Sequence, residues 1–146
     1  MRTWGRRSKR VYDTLDPLLQ VLVTRLRDEV ADISLTSGHR DFMEQNSLFE
    51  AGASTLRWPD SKHNKNPSKA VDLQPHPYPV YEPKLWGALG YLAGRAMAIA
   101  EEEGFQIRWG GDWNGDGDLT DQKFDDLFHL EIVDEEANTN MDTGSL

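Results

Sequence analysis

Cysteine is absent from this chain of 146 residues, and long hydrophobic runs are absent as well. Without thiols there is no disulfide, no thiolate metal site and no cysteine nucleophile, so His, Asp or Glu must hold any transition metal. No apolar run approaches the roughly 18 residues of a membrane span. The basic start is followed by polar Tyr12, Asp13 and Thr14, so we expect neither a signal peptide nor stable membrane insertion.

Charge is unevenly distributed along the chain, whose net charge is −9. The first ten residues carry five positive charges and no negative ones, whereas fourteen acidic residues and only two basic ones follow from Glu101 onward. An acidic body repels phosphate, so we expect no nucleic-acid partner. We predict a flexible basic arm over 1–12, one ordered domain over 13–133 and a loose acidic tail over 134–146.

The pattern of apolar residues predicts a single α+β domain. Spacings of three and four predict a long helix over 14–30, capped by Asp13 or Thr14, a second long helix over 84–103 and a short one over 41–51. Alternating or short apolar segments predict strands at 33–37, 70–74, 105–109 and 128–133. We therefore expect a small antiparallel sheet packed with two long helices.

Two of the four histidines stand where metal ligands are often presented. His63 ends a long Gly-, Ser- and Asn-rich loop before a predicted strand, and His129 begins the last predicted strand. Two neutral imidazoles and one carboxylate make a three-ligand zinc site whose fourth position is left for water. We therefore predict a zinc site at strand and loop ends.

Four sequence blocks, in order, carry a resemblance that spans Leu18 to Val133. They are Ser37-Gly-His-Arg40, Ser61-x-His63 with Ala70-x-Asp72, Arg108-Trp-Gly-Gly-Asp-Trp-Asn114, and Asp126-x-x-His129-x-Glu131. Together they resemble the zinc peptidoglycan peptidases that include D-alanyl-D-alanine dipeptidases and carboxypeptidases. Among these the chain is most similar to phage endolysins that act as L-alanyl-D-glutamate peptidases. One departure is the eight residues between His63 and Asp72, more than the family pattern has; we expect Asn66-Pro-Ser to bulge outward.

The resemblance implies a role for each matching residue. His63, Asp72 and His129 would be the zinc ligands, Asp126 the general base, and Arg40 the group that binds or polarises the substrate carbonyl. On a regular strand, however, residues three apart face opposite ways, so Asp126 can serve only if 125–128 is a turn. Glu131 shares the face of His129 and is therefore the alternative base or a hydrogen-bond partner of that ligand.

A second motif matches the start of an EF-hand calcium loop over 112–121. Side-chain oxygens would come from Asp112, Asn114, Asp116 and Asp121, and Asp118 would contribute its backbone carbonyl. The usual Glu at the twelfth position is replaced by Lys123, so Asp121 would close a shortened loop. The alternative is a Gly/Asp turn without an ion.

These observations predict a zinc metallopeptidase, with calcium as a second, regulatory cofactor. The expected enzyme is an endolysin that cleaves the L-alanyl-D-glutamate bond of bacterial peptidoglycan stem peptides. The alternatives are a D-Ala-D-Ala-type carboxypeptidase, or a non-catalytic calcium- or wall-binding module on the same fold. We expect a monomer that is made in the host cytoplasm and reaches the periplasm or cell wall after release by a separate lysis protein.

Overall fold

The computed structural model describes residues 2–134. In it, two long helices pack against each other and against a four-stranded sheet. The helices are α1 (Arg6–Tyr12), α2 (Pro17–Glu29), α3 (Phe42–Glu50) and α4 (Glu82–Glu102), with a 3-10 turn at Lys62–Asn64. The strands are β1 (Ile33–Ser37), β2 (Ala70–Pro75), β3 (Ile107–Gly110) and β4 (Asp126–Ile132). The predicted α+β class with two long helices and an antiparallel sheet is confirmed.

The strand order β1-β2-β4-β3 places β2 and β4 at the centre of the sheet. All neighbouring strands are antiparallel, and the register of the central pair sets Asp72 opposite His129. Directly opposed residues on an antiparallel pair have Cβ atoms about 4.5–5.5 Å apart. Strand pairing alone therefore brings together two predicted ligands that are 57 positions apart in the chain.

Strand β4 is irregular on the side that faces β3. Trp109 pairs with Leu130, but the next residue, Gly110, pairs with Asp126, so residues 127–129 form a bulge. A Cβ at Gly110 would lie 2.0 Å from the carbonyl oxygen of Asp126, so only glycine allows the strands to approach this closely. Because three additional residues lie between the two pairs, Asp126 takes the place opposite Gly110 that His129 would have in a regular register. Asp126 therefore does not lie on the face that regular alternation of β4 would give it.

The core is formed by the apolar faces that the sequence pattern predicts. Leu19, Leu22, Val23 and Leu26 of α2 are fully buried, together with apolar side chains of α4 and the sheet. The cap of α2 differs from the prediction of Asp13 or Thr14: the Asp16 carboxylate accepts a hydrogen bond from the Leu18 amide at 2.9 Å. Because Pro17 fixes the first helical position, the residue immediately before it becomes the cap.

The predicted basic arm over 1–12 forms helix α1 over its second half, and its flexibility stays a prediction. Ser8 faces inward, and its Oγ accepts a hydrogen bond from the Leu35 amide of edge strand β1 at 3.0 Å. Trp4 packs under the guanidinium of Arg27, 4.4 Å from ring centroid to Cζ. A short helix can be held by such contacts even where its sequence is mostly charged.

The predicted acidic tail over 134–146 lies, apart from Asp134, outside the described residues. Asp134 itself pairs with Lys62 at 2.6 Å. None of the helices within residues 2–134 has both the length and the apolar character needed to cross a lipid bilayer.

Candidate metal centre

The side chains of His63, Asp72 and His129 meet beside the two central strands, β2 and β4. His63 Nε2 lies 3.2 Å from Asp72 Oδ1 and 3.2 Å from His129 Nδ1, and His129 Nδ1 lies 3.1 Å from Asp72 Oδ1. The 3-10 turn presents His63, β2 presents Asp72 and β4 presents His129. Within residues 2–134 this is the one group of at least three His, Asp or Glu side chains gathered closely enough to hold a metal ion.

The hydrogen bonds behind the two imidazoles fit a metal ion in front of them. His63 Nδ1 lies 2.7 Å from the Gly38 carbonyl oxygen, which can only accept, so this nitrogen carries the proton. His129 Nε2 likewise donates to the Glu131 carboxylate at 2.8 Å. In the neutral rings, lone pairs of His63 Nε2 and His129 Nδ1 therefore face the Asp72 oxygen. Three electron-rich atoms held this close repel one another unless a cation lies between them.

The spacing and the donor types fit zinc. Ligands about 2.0–2.2 Å from a tetrahedral zinc ion lie roughly 3.3–3.6 Å from one another. The triangle of 3.1–3.2 Å needs to widen by only a few tenths of an ångström to match. Two imidazoles and a carboxylate are also a frequent ligand set of catalytic zinc, which keeps one position open.

Arg40 forms an ion pair with the second carboxylate oxygen of Asp72, Oδ2. Arg40 Nη2 donates to Asp72 Oδ2 at 3.0 Å, and Arg40 Nε donates to Ser37 Oγ at 3.0 Å. This pairing leaves Oδ1 directed at the two imidazoles. The family resemblance implies that Arg40 contacts the substrate, and that role stays a prediction; its contact with Asp72 has no signal in the sequence.

Charges around the centre shift the pKa values of its members in opposite directions. Burial raises the pKa of Asp72, but the His129 and His63 rings, which donate hydrogen bonds to its carboxylate when they are protonated, outweigh burial and hold the pKa well below its ordinary value. Burial lowers the pKa of His129, but hydrogen bonds to Asp72 and Glu131 outweigh it and raise the pKa to about 9. In the metal-free chain a proton on His129 therefore takes the place of the cation.

The additional residues between His63 and Asp72 do not displace the ligand. Asn66 and Pro67 are exposed, as expected of an outward bulge. Ser68 instead turns back into the protein, where its amide donates to the Thr14 carbonyl at 2.8 Å and its carbonyl accepts from the Asp16 amide at 2.9 Å. This anchor immediately before β2 fixes the start of the strand that carries Asp72.

Asp126 and Glu131, the two candidate bases, have different surroundings. Both line the same cleft as His63 and His129. Asp126 reaches this cleft because of the bulge at 127–129. Burial, followed by repulsion from Asp72, raises the pKa of Asp126. Glu131 is buried and bonded to His129, and its other oxygen lies 3.8 Å from Arg108 Nη1. Glu131 is thus bonded to His129, whereas Asp126 lies beside it in the cleft.

The cleft over the centre has a volume of about 390 Å³. Its lining includes the segment 53–56 that follows α3, here called the 53–56 wall, as well as Trp113 and Phe124. The ring of Trp113 packs 5.4 Å from that of His129, and its Nε1 donates to the Phe124 carbonyl at 2.7 Å. Sequence reasoning did not assign Trp113 or segment 53–56 to the site, since neither carries a metal-ligand pattern.

The model of the family described as phage L-alanyl-D-glutamate peptidase matches residues 2–133, nearly the whole chain. The chain belongs to this phage L-alanyl-D-glutamate peptidase family. The predicted family is therefore confirmed, and membership supports a hydrolase that acts as an L-Ala–D-Glu endopeptidase on peptidoglycan.

A solved structure agrees with the fold of this peptidase family member. The crystal structure of the Serratia marcescens L-Ala D-Glu endopeptidase ChiX superposes with a TM-score of 0.64 at 22% sequence identity, and the match covers 89% of each chain. At this identity the likeness concerns the fold. A search of curated proteins finds no match.

The calcium-type loop of the peptidase lies directly beside the centre. Gly117 at its sixth position adopts a φ of 82°, and its amide donates to Asp112 Oδ2 at 2.9 Å. The other oxygen, Asp112 Oδ1, is buried and has no hydrogen-bond partner among the described residues. The loop carboxylates are not gathered like those of the metal centre, and calcium binding stays a prediction.

Proposed function

We propose that this protein is a zinc-dependent endolysin that hydrolyses the L-alanyl-D-glutamate bond of peptidoglycan stem peptides. The observation that carries the proposal is the triangle of His63, Asp72 and His129. One nitrogen of each imidazole is hydrogen-bonded away from the triangle, and the lone pairs of the other two nitrogens face the Asp72 carboxylate. Family membership supports the substrate and the bond. Zinc, when bound, would act as a Lewis acid and lower the pKa of a water molecule.

Asp126 is the residue proposed to move the proton. Its carboxyl group lines the cleft beside His129, and burial raises its pKa toward the range in which a general base also becomes an effective acid. It would accept a proton from the attacking water and deliver it to the amine that leaves. Glu131 is less suited to this task because it already accepts the His129 Nε2 proton.

Arg40 is proposed to act both on Asp72 and on the substrate. Its guanidinium holds Asp72 Oδ2 and also lines the cleft. Arg side chains stay charged at all relevant pH values, so Arg40 would stabilise negative charge that develops on the substrate carbonyl oxygen. The same side chain would therefore orient a ligand and polarise the substrate.

The decisive experiment combines metal analysis with product analysis. The purified protein should contain one zinc per chain, and mass spectrometry of digested peptidoglycan should reveal new N-terminal D-glutamate and C-terminal L-alanine. His129→Ala should lose zinc and activity while keeping its fold. Release of D-alanine alone would favour the carboxypeptidase alternative, and zinc-free protein that binds walls without cleavage would favour the non-catalytic module.

We further propose that calcium regulates the enzyme through the loop over 112–121. Asp112 Oδ1, which is buried and has no hydrogen-bond partner among the described residues, supports a cation there. Desolvation, followed by repulsion from Asp116 and Asp118, raises the pKa of Asp121. Trp113 lies inside the loop and packs on His129, so an ion that orders the loop would also fix this ligand. Without the bidentate Glu we expect weak affinity, on the order of 10⁻⁵–10⁻³ M.

The test of this regulation is the lysis rate against calcium concentration at fixed zinc. Wild-type activity should rise with calcium, whereas Asp116→Ala should show no response. Equal wild-type activity in calcium-free and calcium-rich buffer, with zinc retained, would leave the loop a structural turn.

Site of action and oligomeric state complete the proposal. Because peptidoglycan lies outside the cytoplasmic membrane, an enzyme made in the host cytoplasm would reach it, in the periplasm or cell wall, after release by a separate lysis protein. Expression in bacterial cytoplasm should lyse cells only when the membrane is permeabilised; lysis by the protein alone would contradict this. Light scattering should give the mass of a monomer.

A further inference from the structure

A buried glutamine joins one wall of the cleft to the turn that carries His63. Gln45 of α3 is 0% exposed. Its Nε2 donates to the Leu56 carbonyl at 2.7 Å and to Ser54 Oγ at 3.0 Å, and its Oε1 accepts from Asn64 Nδ2 at 3.1 Å. Both amide hydrogens and the amide oxygen of this side chain are therefore engaged.

Asn64 continues the chain of hydrogen bonds to the metal centre. It is the residue after His63 in the 3-10 turn, and its Oδ1 accepts from the Ser61 amide at 3.1 Å. Its Nδ2 also donates to the Arg40 carbonyl at 3.3 Å. The backbone of Arg40 in turn donates its amide to the His63 carbonyl at 2.8 Å.

The orientation of both amides is determined by their partners. The carbonyls of Leu56 and Arg40 can only accept, and the Ser61 amide can only donate, so neither side-chain amide can be turned around without losing bonds. A buried polar group that loses its partner costs about 1–3 kcal/mol. The Gln45–Asn64 pair is thus held in one arrangement.

The segment that Gln45 holds is a wall of the cleft. Residues 53–56 line the cavity together with His63, and Leu56 among them is 43% exposed. The start of the wall is bonded to the Leu48 carbonyl at the end of α3, through the Ala53 amide at 2.9 Å. Its far end, at Leu56, is held by Gln45.

We infer that Gln45 is a positioning residue that fixes the 53–56 wall relative to His63 and so sets how tightly the substrate peptide binds. The inference rests on the proposed peptidase function. Gln45 lies behind the wall and does not line the cleft, so it acts through the wall. Loss of its two donors would let the wall move away from the peptide while Asp126 and the three metal ligands keep their own contacts.

The test uses Gln45→Glu, which keeps the shape of the side chain but replaces both donors with acceptors. With a soluble muropeptide that contains the L-Ala–D-Glu bond, we expect KM to rise about tenfold. The value of kcat and the zinc affinity should stay within about threefold of wild type, because a change in KM alone reports lost substrate binding. Gln20→Glu is the matched control, since Gln20 Nε2 donates to the Tyr12 carbonyl at 2.9 Å away from the cleft.

A second variant and a second measurement cover poor folding of the first. Gln45→Met removes the amide without adding charge, and hydrogen exchange of the amides at 53–56 should become faster than in wild type and in Gln20→Glu. Unchanged KM and unchanged exchange would overturn the inference. So would a joint loss of zinc affinity and kcat, which would make Gln45 a support of His63. If wild-type protein cleaved no L-Ala–D-Glu bond, the proposed function would fail, while the exchange result would still decide whether Gln45 positions the wall.

Discussion

Replacement of Glu131 by Ala should weaken zinc binding without removing the base. The Glu131 carboxylate accepts the Nε2 proton of His129 at 2.8 Å and is only 8% exposed. A buried, charge-assisted hydrogen bond contributes about 1.5–3 kcal/mol, which corresponds to roughly 10- to 150-fold in an equilibrium constant. Loss of a carboxylate behind a ligating histidine typically lowers metal affinity by about 10–100-fold, in the same range.

The assay is a zinc titration against a competing chelator, with activity measured at saturating zinc. Glu131→Gln keeps an acceptor for the His129 proton, so it should recover most of the affinity and turn over at a rate close to that of wild type. Asp125→Asn, which changes an exposed carboxylate close to the site, is the control and should bind zinc normally. If Glu131→Gln bound zinc normally but had lost turnover by orders of magnitude, Glu131 would be the base and our assignment would be wrong.

Two further predictions concern the remaining titratable groups. Asp126→Asn should keep full zinc content but lose turnover by about 10²–10⁴-fold, measured as the initial rate on a soluble muropeptide; an active variant would exclude Asp126 as the base. In the presence of a chelator, the free energy of unfolding should fall as the pH rises from about 6.5 to about 9. The folded-state pKa of His129, about 9, lies above its ordinary value of 6.5. Stabilisation by the protonated ring is therefore complete below pH 6.5 and is lost as the pH rises through the folded-state pKa. Thermal unfolding across this range should show the decline in wild type and not in His129→Gln, and parallel curves for the two would refute it.

Much of the fold could be predicted from local sequence because its signals are local. Strand β1 has the predicted bounds, 33–37, since Gly38 follows an alternating apolar segment. Helix α3 begins after Asp41, whose carboxylate accepts from the Glu44 amide at 2.9 Å, as a capping residue should. Helix α1 has no such local signal, because the hydrogen bond between Ser8 and β1 joins segments that are distant in the chain.

Motif order in the sequence names the three side chains that the structure gathers into a candidate metal centre, but it does not predict the contacts that orient them. Neither the Gly38 carbonyl behind His63 nor the Arg40 guanidinium behind Asp72 has a sequence signal, because both depend on how distant segments pack. Glu131 was the exception, since residues two apart on a strand share a face and His129 and Glu131 do so here.

The position of Asp126 shows how strand register decides a chemical role. The family motif favours Asp126 as the base, whereas regular alternation of β4 would turn it away from His129. Asp126 nevertheless lines the cleft with His129, because the Gly110–Asp126 pairing inserts the bulge at 127–129, and that pairing requires a residue without a Cβ at 110. Gly110, in the Trp-Gly-Gly segment of the family motif, therefore sets the position of the candidate base, although it contributes no functional group.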